Sequence, residues 1–296
     1  MRIEVVVAAE NGVGEGPFWD DRAGELWWVD IPARAVLAWR PGDAAPRRWS
    51  VPEFPSAVVL RERGGALLAM RDGIYAFDPA SGATTLLCRH EPDRPDNRTN
   101  EAKCDPHGRF WVGTMQNNLH PDGSAKAMTG STGALYCLRA DGRISREVDG
   151  VGLSNTLAWT DGGRTLLFGD TLTNVISAFT TDDDGHLSDR RVFSDEPLPG
   201  HCDGSAIDAE GYLWNCRFGG GRIVRFAPDG RVDRQIALPV TNPTSCCFGG
   251  PDLRTLYVTS ARFGLSAGQL AGNPAEGALL ALATDVTGTP SVRFGG

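Results

Sequence analysis

The stretch DGSAIDAEGYLW, Asp203–Trp214, decides the fold of this chain because its pattern returns, altered, along almost the whole sequence. It predicts a short strand of small residues, a turn at residues 208–211 and a second strand that opens with bulky side chains. In the clearest copies the polar residue at the start is followed eight positions later by a turn glycine, as Asp203 is by Gly211. Six copies are recognisable, and they begin at Glu15, Ser56, Asn100, Asn155, Asp203 and Thr244.

The spacing of the copies predicts the architecture. Successive copies start 41, 44, 55, 48 and 41 residues apart, close to the roughly 40–50-residue unit of a four-stranded propeller blade. We therefore predict an all-β fold, a six-bladed β-propeller with four-stranded antiparallel blades, as a single domain over residues 1–296. Residues 3–8 predict a further strand. Because a closed ring removes exposed strand edges, we expect this N-terminal strand to close the ring by completing the C-terminal blade.

Composition excludes several classes of function. The net charge is −8 and the chain has no basic stripe, which argues against nucleic-acid binding. No apolar run approaches the length of a membrane span or a signal-peptide core, so we expect no membrane association and, by default, a cytoplasmic location. The seven cysteines lack a Cys-x-x-Cys pair, which favours free buried thiols over a metal or redox site. We expect a monomer or a weak oligomer.

Three segments interrupt the repeat. Residues 89–99 are polar and contain two prolines, which predicts a loop between blades two and three. Residues 115–130 form a polar insertion in blade three, either a lid over a substrate or an ordinary surface excursion. Residues 181–185 begin like a calcium-binding loop but lack its later ligands, so we predict an acidic hairpin turn.

The first position of each copy carries the chemistry. Rotation about a common axis places the six starting residues in a ring at one mouth of the central channel, and all six are polar. Solvation of strand ends alone would account for a polar residue at any one of these positions. Two carboxylates at the rim of an apolar channel, however, repel each other and are desolvated, and a divalent cation removes that cost. Glu15, Asn155 and Asp203 offer an oxygen-only ligand set suited to Ca²⁺, Mg²⁺ or Mn²⁺, with Fe²⁺ or Zn²⁺ not excluded.

Several motifs together resemble the SMP-30/gluconolactonase/regucalcin family of six-bladed propellers, and the resemblance covers essentially the full chain. The resemblance implies hydrolysis of sugar lactones to aldonic acids, with a divalent metal at Glu15, Asn155 and Asp203 and substrate contacts from Arg98 and Asn100. Thr156 and Glu101 depart from the family pattern, which usually has glycine and often has aspartate at these positions. The motifs are Gly14–Pro17, Arg98–Asp105, Gly113–Met115, Ser154–Asn155, Asp203–Ser205 and Ser245–Gly250.

We therefore predict a lactonase, a hydrolase of carboxylic ester bonds, that uses one divalent metal ion and a small sugar lactone such as glucono-, xylono- or arabinonolactone. Asp203 would be the catalytic base that activates water. Glu101 and Asn118 join Arg98 and Asn100 as predicted substrate-binding residues. Two alternatives remain open: a broader esterase or phosphotriesterase at the same metal, and a propeller that binds calcium or proteins without catalysis.

Overall fold

The strands form six four-stranded antiparallel sheets around a central channel, in a computed structural model that describes residues 2–296. The predicted six-bladed β-propeller is confirmed. The innermost strands of blades 1 to 6 are β2 (Gly14–Asp20), β6 (Pro55–Leu60), β10 (Asn97–Cys104), β14 (Ser154–Thr160), β18 (His201–Ile207) and β22 (Pro243–Gly249). The second strands are β3 (Glu25–Asp30), β7 (Ala66–Met70), β11 (Phe110–Gln116), β15 (Thr165–Asp170), β19 (Leu213–Phe218) and β23 (Thr255–Ser260).

The outer half of each blade is less buried than the inner half. The third strands are β4 (Ala35–Trp39), β8 (Gly73–Asp78), β12 (Gly133–Leu138), β16 (Val175–Thr181), β20 (Arg222–Phe226) and β24 (Leu279–Ala283). The outermost strands are β5 (Arg47–Ser50), β9 (Ala83–Cys88), β13 (Ile144–Val151), β17 (Leu187–Ser194), β21 (Val232–Ala237) and, in blade 6, β1 (Ile3–Val7). In β9 and β21 exposed and half-buried residues alternate, as expected of a sheet with one face toward solvent.

The N-terminal strand closes the ring as predicted. β1 pairs antiparallel with β24, with Ile3 opposite Leu282 and Val7 opposite Leu279. The innermost strand of blade 6, β22, packs beside β2 of blade 1. The N-terminal strand thus completes the sheet of blade 6, and the packing of this blade against blade 1 closes the ring.

A buried aspartate explains why the turn pattern recurs with an Asp-x-x-Gly-x-x-Trp spacing. Asp208 accepts hydrogen bonds from the backbone N–H of Glu210 and Tyr212 and from Trp214 Nε1. Asp105 repeats this arrangement in blade 3, accepting from the backbone of His107 and Arg109 and from Trp111 Nε1. The carboxylate therefore satisfies the turn's N–H groups and fixes the indole that fills the space between blades.

Each innermost strand carries a β-bulge at its ring position. The pairing register shifts between Glu15 and Phe18, and equivalent shifts occur in the other five blades. A bulge leaves extra residues without a partner and re-aims neighbouring side chains. In blades 3 and 5 the extra residues are Asn100-Glu101 and Asp203-Gly204. The polar ring at the channel mouth is therefore built by six bulges.

Some local expectations need correction. The predicted loop over residues 89–99 ends earlier, because Asn97, Arg98 and Thr99 already belong to β10 and pair with β11. Residue 115 lies in β11, so the insertion begins at residue 117. The connection between β23 and β24 in blade 6 contains a short helix, α1 (Ala267–Gly272), which begins with a capping box from Ser266.

Two other local expectations hold, for the acidic turn and for the cysteines. Asp182–Gly185 forms a turn between β16 and β17, closed by the bond from Gly185 N–H to the Asp182 carbonyl. All seven cysteines are free, and six of them are buried. Within residues 2–296, no helix has the length and apolar character needed to cross a membrane.

Candidate active site

The three predicted metal ligands lie on three innermost strands at the ring position. Glu15 is on β2, Asn155 on β14 and Asp203 on β18, and their side chains are only 7%, 2% and 5% exposed. The Glu15 carboxylate also accepts a hydrogen bond from the N–H of Gly16. Gly16 has a φ of 55°, a left-handed conformation that glycine adopts without steric cost. The bulge in β2 and the left-handed conformation of Gly16 hold Glu15 at the channel mouth.

Burial and neighbouring carboxylates raise the pKa values of Glu15 and Asp203. Burial, followed by the charge of Glu101, raises the pKa of Glu15 to about 8. Burial, followed by the charges of Glu15 and Glu101, raises the pKa of Asp203 well above its usual range. Burial lowers the pKa of Arg98 to about 10, against the attraction of Glu15 and Asp203. The four ionisable groups therefore share one poorly hydrated environment.

A chain of hydrogen bonds joins the predicted substrate-binding residues to the metal-ligand candidates. Arg98 donates from Nε to Asn118 Oδ1 (3.1 Å) and from Nη1 to Asn100 Oδ1 (2.8 Å). Asn100 in turn donates from Nδ2 to the carbonyl of Ser154 (2.8 Å) and to Asn155 Oδ1 (3.3 Å). The structure thus brings Arg98, Asn100 and Asn118 together beside Asn155.

Glu101 is placed differently from the other predicted substrate-binding residues. It is 2% exposed, and among the described residues neither of its carboxylate oxygens has a hydrogen-bond partner. The ammonium group of Lys103 lies 3.5 Å from Glu101 Oε1 and donates to the carbonyl of Ser205 at 2.6 Å. The charge of Glu101 raises the pKa values of Glu15 and Asp203, and its role as a substrate-binding residue stays a prediction.

The insertion of blade 3 forms a wall of the site. Asn118 accepts from Arg98, and the next residue, Leu119, is buried in the hydrophobic core. Farther along, the carbonyl of Pro121 accepts a hydrogen bond from Arg34 of blade 1 (2.9 Å). The first part of the insertion therefore reaches from blade 3 to blade 1.

Sequence reasoning missed the residues that support the ligand candidates. Lys103 lies in a motif that carried the family resemblance, two positions from Glu101, and this spacing was the available signal. Thr156 and Asn215 both bond to the backbone carbonyl of Asp203. No sequence signal identified Asn215, because its contact with blade 4 depends on the packing of two blades.

A cavity of about 790 Å³ lies along the channel behind the ring and reaches Gly16, Lys103 and Ser205. Its walls are largely apolar and include Phe18, Leu157 and Phe248. This is the apolar channel expected behind the polar ring. Lys103 stands between the cavity and the carboxylates.

The donor set consists of two carboxylates and one amide. Within residues 2–296, no three His, Cys, Asp or Glu side chains form a metal-binding cluster. Carboxylate and amide oxygens are hard ligands of the kind that Ca²⁺, Mg²⁺ and Mn²⁺ prefer. The three candidate ligands do not include a thiolate or an imidazole.

Comparisons with known proteins agree with the fold and the motifs. Residues 13–262 match the model of the SMP-30/Gluconolactonase/LRE-like region. The chain is 37% identical over 271 residues to regucalcin of Xenopus laevis, covering 90% of this chain and 88% of that protein. It is 33% identical over 296 residues to 6-deoxy-6-sulfogluconolactonase of Pseudomonas putida, covering 99% of each.

The structural comparison gives the same result. The crystal structure of a calcium-binding protein, regucalcin, from Agrobacterium tumefaciens superposes with a TM-score of 0.90 and 30% identity, covering 98% of this chain and 96% of that chain. The fold and the polar mouth define a six-bladed propeller with its candidate site on the channel axis. The chain belongs to the SMP-30/gluconolactonase/regucalcin family.

Proposed function

We propose that this protein hydrolyses a sugar lactone to the aldonic acid with the help of a divalent cation held by Glu15, Asn155 and Asp203. The observation that carries the proposal is the hydrogen-bonded chain from Asn118 through Arg98 and Asn100 to Asn155. It places donors suited to a polyhydroxylated ring beside two buried carboxylates. Membership in a family with a lactonase relative of nearly the same length supports the reaction class.

The residues present fit a divalent cation. Glu15 and Asp203 are buried, and burial together with the neighbouring carboxylates raises the pKa of each, so ionising both of them without a cation is costly. Glu101 adds two buried oxygens without hydrogen-bond partners in the described part of the chain. A cation would offset this repulsion, and three protein ligands leave positions for water and substrate.

When bound, the cation supplies Lewis-acid polarisation of the lactone carbonyl. Asp203 accepts a proton from the attacking water, whose oxygen forms the new bond to the carbonyl carbon. The bond between that carbon and the ring oxygen then breaks, and Asp203 returns the proton to the ring oxygen, which becomes a hydroxyl group. One water is consumed, and the open-chain aldonic acid is the product.

Arg98, Asn100 and Asn118 orient the sugar in this proposal. Burial lowers the Arg98 pKa only to about 10, so its guanidinium stays charged at neutral pH and donates to ring oxygens or hydroxyls. The bonds from Arg98 to Asn100 and Asn118 hold these side chains in one arrangement before substrate arrives. Such preorganisation lowers the entropic cost of placing the carbonyl beside Asp203.

The proposal is tested by replacing Asp203 with Asn and with Ala and measuring acid release from glucono-, xylono- and arabinonolactone with added Ca²⁺, Mg²⁺, Mn²⁺ or Zn²⁺. Loss of a general base lowers the rate by about 10²–10⁴-fold, and loss of a ligand adds to this. Asp252→Asn, at an exposed turn of blade 6, serves as the matched control. Near wild-type hydrolysis by either Asp203 variant would remove it as the base.

A second candidate is cation binding without catalysis. It is favoured by one observation, the structural neighbour described as a calcium-binding protein. Thermal stabilisation by Ca²⁺ with no turnover of any lactone would support it. Aryl esters and a phosphotriester belong in the same panel, since turnover of these above that of the lactones would indicate a broader esterase at the same site.

A further inference from the structure

Thr156 has an unusual backbone conformation next to a metal-ligand candidate. It follows Asn155 directly, is fully buried and has a φ of 46°. Among residues 2–296, it is the one β-branched residue with a positive φ. β-Branched residues rarely adopt this left-handed region, and such conformations persist where surrounding contacts enforce them, often at functional sites.

The contacts that enforce this conformation converge on Asp203. The hydroxyl of Thr156 donates to the backbone carbonyl of Asp203 at 2.6 Å. Asn215 Nδ2 donates to the same carbonyl at 2.9 Å, and it also donates to Thr156 Oγ1 at 3.1 Å. Thr156 Oγ1 also lies 3.1 Å from the hydroxyl of Ser205. One buried hydroxyl therefore touches β18 on both sides of Gly204.

Close packing leaves Thr156 little freedom to move. A Cβ placed on Gly169, which pairs with Asn155 across the sheet, would lie 2.9 Å from Thr156 Cβ. Thr156 is also the extra residue of the bulge in β14. The side chain thus occupies space that Gly169 leaves open, and the bulge directs its hydroxyl toward blade 5.

We propose that Thr156 is a positioning residue that sets the spacing between Asn155 on blade 4 and Asp203 on blade 5. This inference rests on the proposed function, since it assigns Thr156 to the geometry of the same cation site. Thr171 makes a second bridge between the two blades. Its Oγ1 donates to the carbonyl of Cys202 at 2.7 Å and accepts a hydrogen bond from Asn155 Nδ2. The two bridges join blade 4 to β18 immediately before and at Asp203. Loss of the Thr156 hydroxyl removes the second of these links, and the Asp203 carbonyl keeps only its bond from Asn215 of its own blade.

Three substitutions separate the hydroxyl from the backbone conformation. Thr156→Val keeps the branched shape and removes the hydroxyl, Thr156→Ser keeps the hydroxyl, and Thr156→Gly removes the hydroxyl and also the steric conflict at positive φ. Titration calorimetry with MnCl₂ and with CaCl₂ gives the cation affinity of each variant, and thermal unfolding gives its stability.

Residues that orient metal ligands typically change metal affinity by about 10–100-fold when replaced. We expect at least tenfold weaker binding for the Val and Gly variants and binding within about threefold of wild type for Ser. The Gly variant is decisive. Because it lacks the steric conflict at positive φ, we expect it to have a higher melting temperature than the Val variant, yet to bind the cation as weakly as the Val variant does. A purely structural role would instead make affinity follow stability across the three variants.

Thr289→Val is the matched control, because Thr289 donates its hydroxyl to the carbonyl of Ile207 at the other end of β18 (2.9 Å). It is expected to leave cation affinity unchanged. If the wild type binds a cation and the Val and Gly variants bind it equally well, the positioning role is wrong while the proposed function stands. If the wild-type protein binds none of the cations, the proposed function fails, and the positioning role fails with it.

Discussion

The side-chain amide of Asn100 lies 3.3 Å from Oδ1 of Asn155, and this contact joins two strands on neighbouring blades. Asn155 also donates from Nδ2 to Thr171 at 2.8 Å, so both ends of its amide are fixed. Asn100 is fixed as well, since it accepts from Arg98 and donates to the Ser154 carbonyl. The proposed substrate-binding residues and the proposed metal ligands therefore form one connected polar network, in which each member restricts the next.

Removal of Asn100 is expected to uncouple the two halves of this network. Asn100→Ala leaves Arg98 without one acceptor and Asn155 Oδ1 without its donor, so both side chains lose orientation. We expect kcat/KM for the best lactone to fall by about 10–100-fold, the range typical of residues that orient metal ligands. Asn273→Ala is the control, because the Asn273 side chain bonds to the Pro239 carbonyl and to Glu276 and not to this network. Unchanged kcat/KM in Asn100→Ala would contradict the role of the contact.

The raised pKa of Glu15 predicts how stability depends on pH. In the folded, metal-free protein burial and the charge of Glu101 raise the pKa of Glu15 to about 8, from an ordinary value of 4.5. Because the folded state then binds more protons than the unfolded state, the free energy of unfolding falls as pH rises from about 5 to about 8. The contribution is on the order of a few kcal/mol. Thermal unfolding in a chelator at pH 5.5, 6.5 and 8 measures it.

Two comparisons isolate this effect. Glu15→Gln removes the titrating group, so its melting temperature is expected to change less over the same pH range. Added Ca²⁺ or Mn²⁺ favours the ionised carboxylate, so it is expected to stabilise the wild type more at pH 8 than at pH 5.5. The same pH dependence in wild type and Glu15→Gln would show that other groups are responsible.

The sequence was sufficient to predict the blades and the ring, because both follow from a repeat that is visible in one dimension. Copies of the turn at Asp208 and of Trp214 recur at intervals of about one blade. Because the blades are related by rotation about one axis, equivalent positions of the repeat lie in a ring. Strand β9 and the other outer strands were harder to detect, because one face is solvated and their apolar residues are few. Helix α1 was missed because its sequence, AGQLAG, has no apolar face to bury.

The supporting contacts of the site could not be predicted from the sequence. Lys103 reaches the carbonyl of Ser205 across 102 residues of chain, and the contact exists only because β10 and β18 meet at the channel. The burial of Glu101 follows from a bulge that places two residues opposite one, and a bulge has no dependable signature in a strand of mixed polarity. The positive φ of Thr156 was hidden for a similar reason, since threonine at this position indicates extended backbone.

Gly204 is expected to be intolerant of any side chain. A Cβ at this position would lie 2.1 Å from Ser245 Oγ and 2.4 Å from Ser245 Cβ, on the next blade. Gly204→Ala must therefore push apart two innermost strands beside Asp203, at a cost of about 1–3 kcal/mol. We expect lower thermal stability and a loss of lactone hydrolysis at saturating metal.

The partner residue provides the test of this explanation. Adding Ser245→Gly to Gly204→Ala removes the closest atoms and is expected to restore part of both stability and activity. Gly272→Ala, where a Cβ would have no neighbour within 4 Å, is expected to be nearly neutral. If Ser245→Gly restores nothing, the conflict between these two strands is not the cause of the defect.

The pair of the buried Glu101 and the half-buried Lys103 predicts a marked asymmetry between single and double substitutions. Lys103→Met leaves the Glu101 carboxylate buried without its nearest cation, and breaking such a pair costs on the order of 3 kcal/mol, whereas replacing both partners costs far less. Urea unfolding in a chelator should therefore show Glu101→Gln/Lys103→Met to be more stable than Lys103→Met alone. Lys126→Met removes a salt bridge to the exposed Asp96 and is expected to cost less than about 1 kcal/mol. Equal stability of the single Lys103 variant and the double variant would show that Lys103 does not compensate the Glu101 charge.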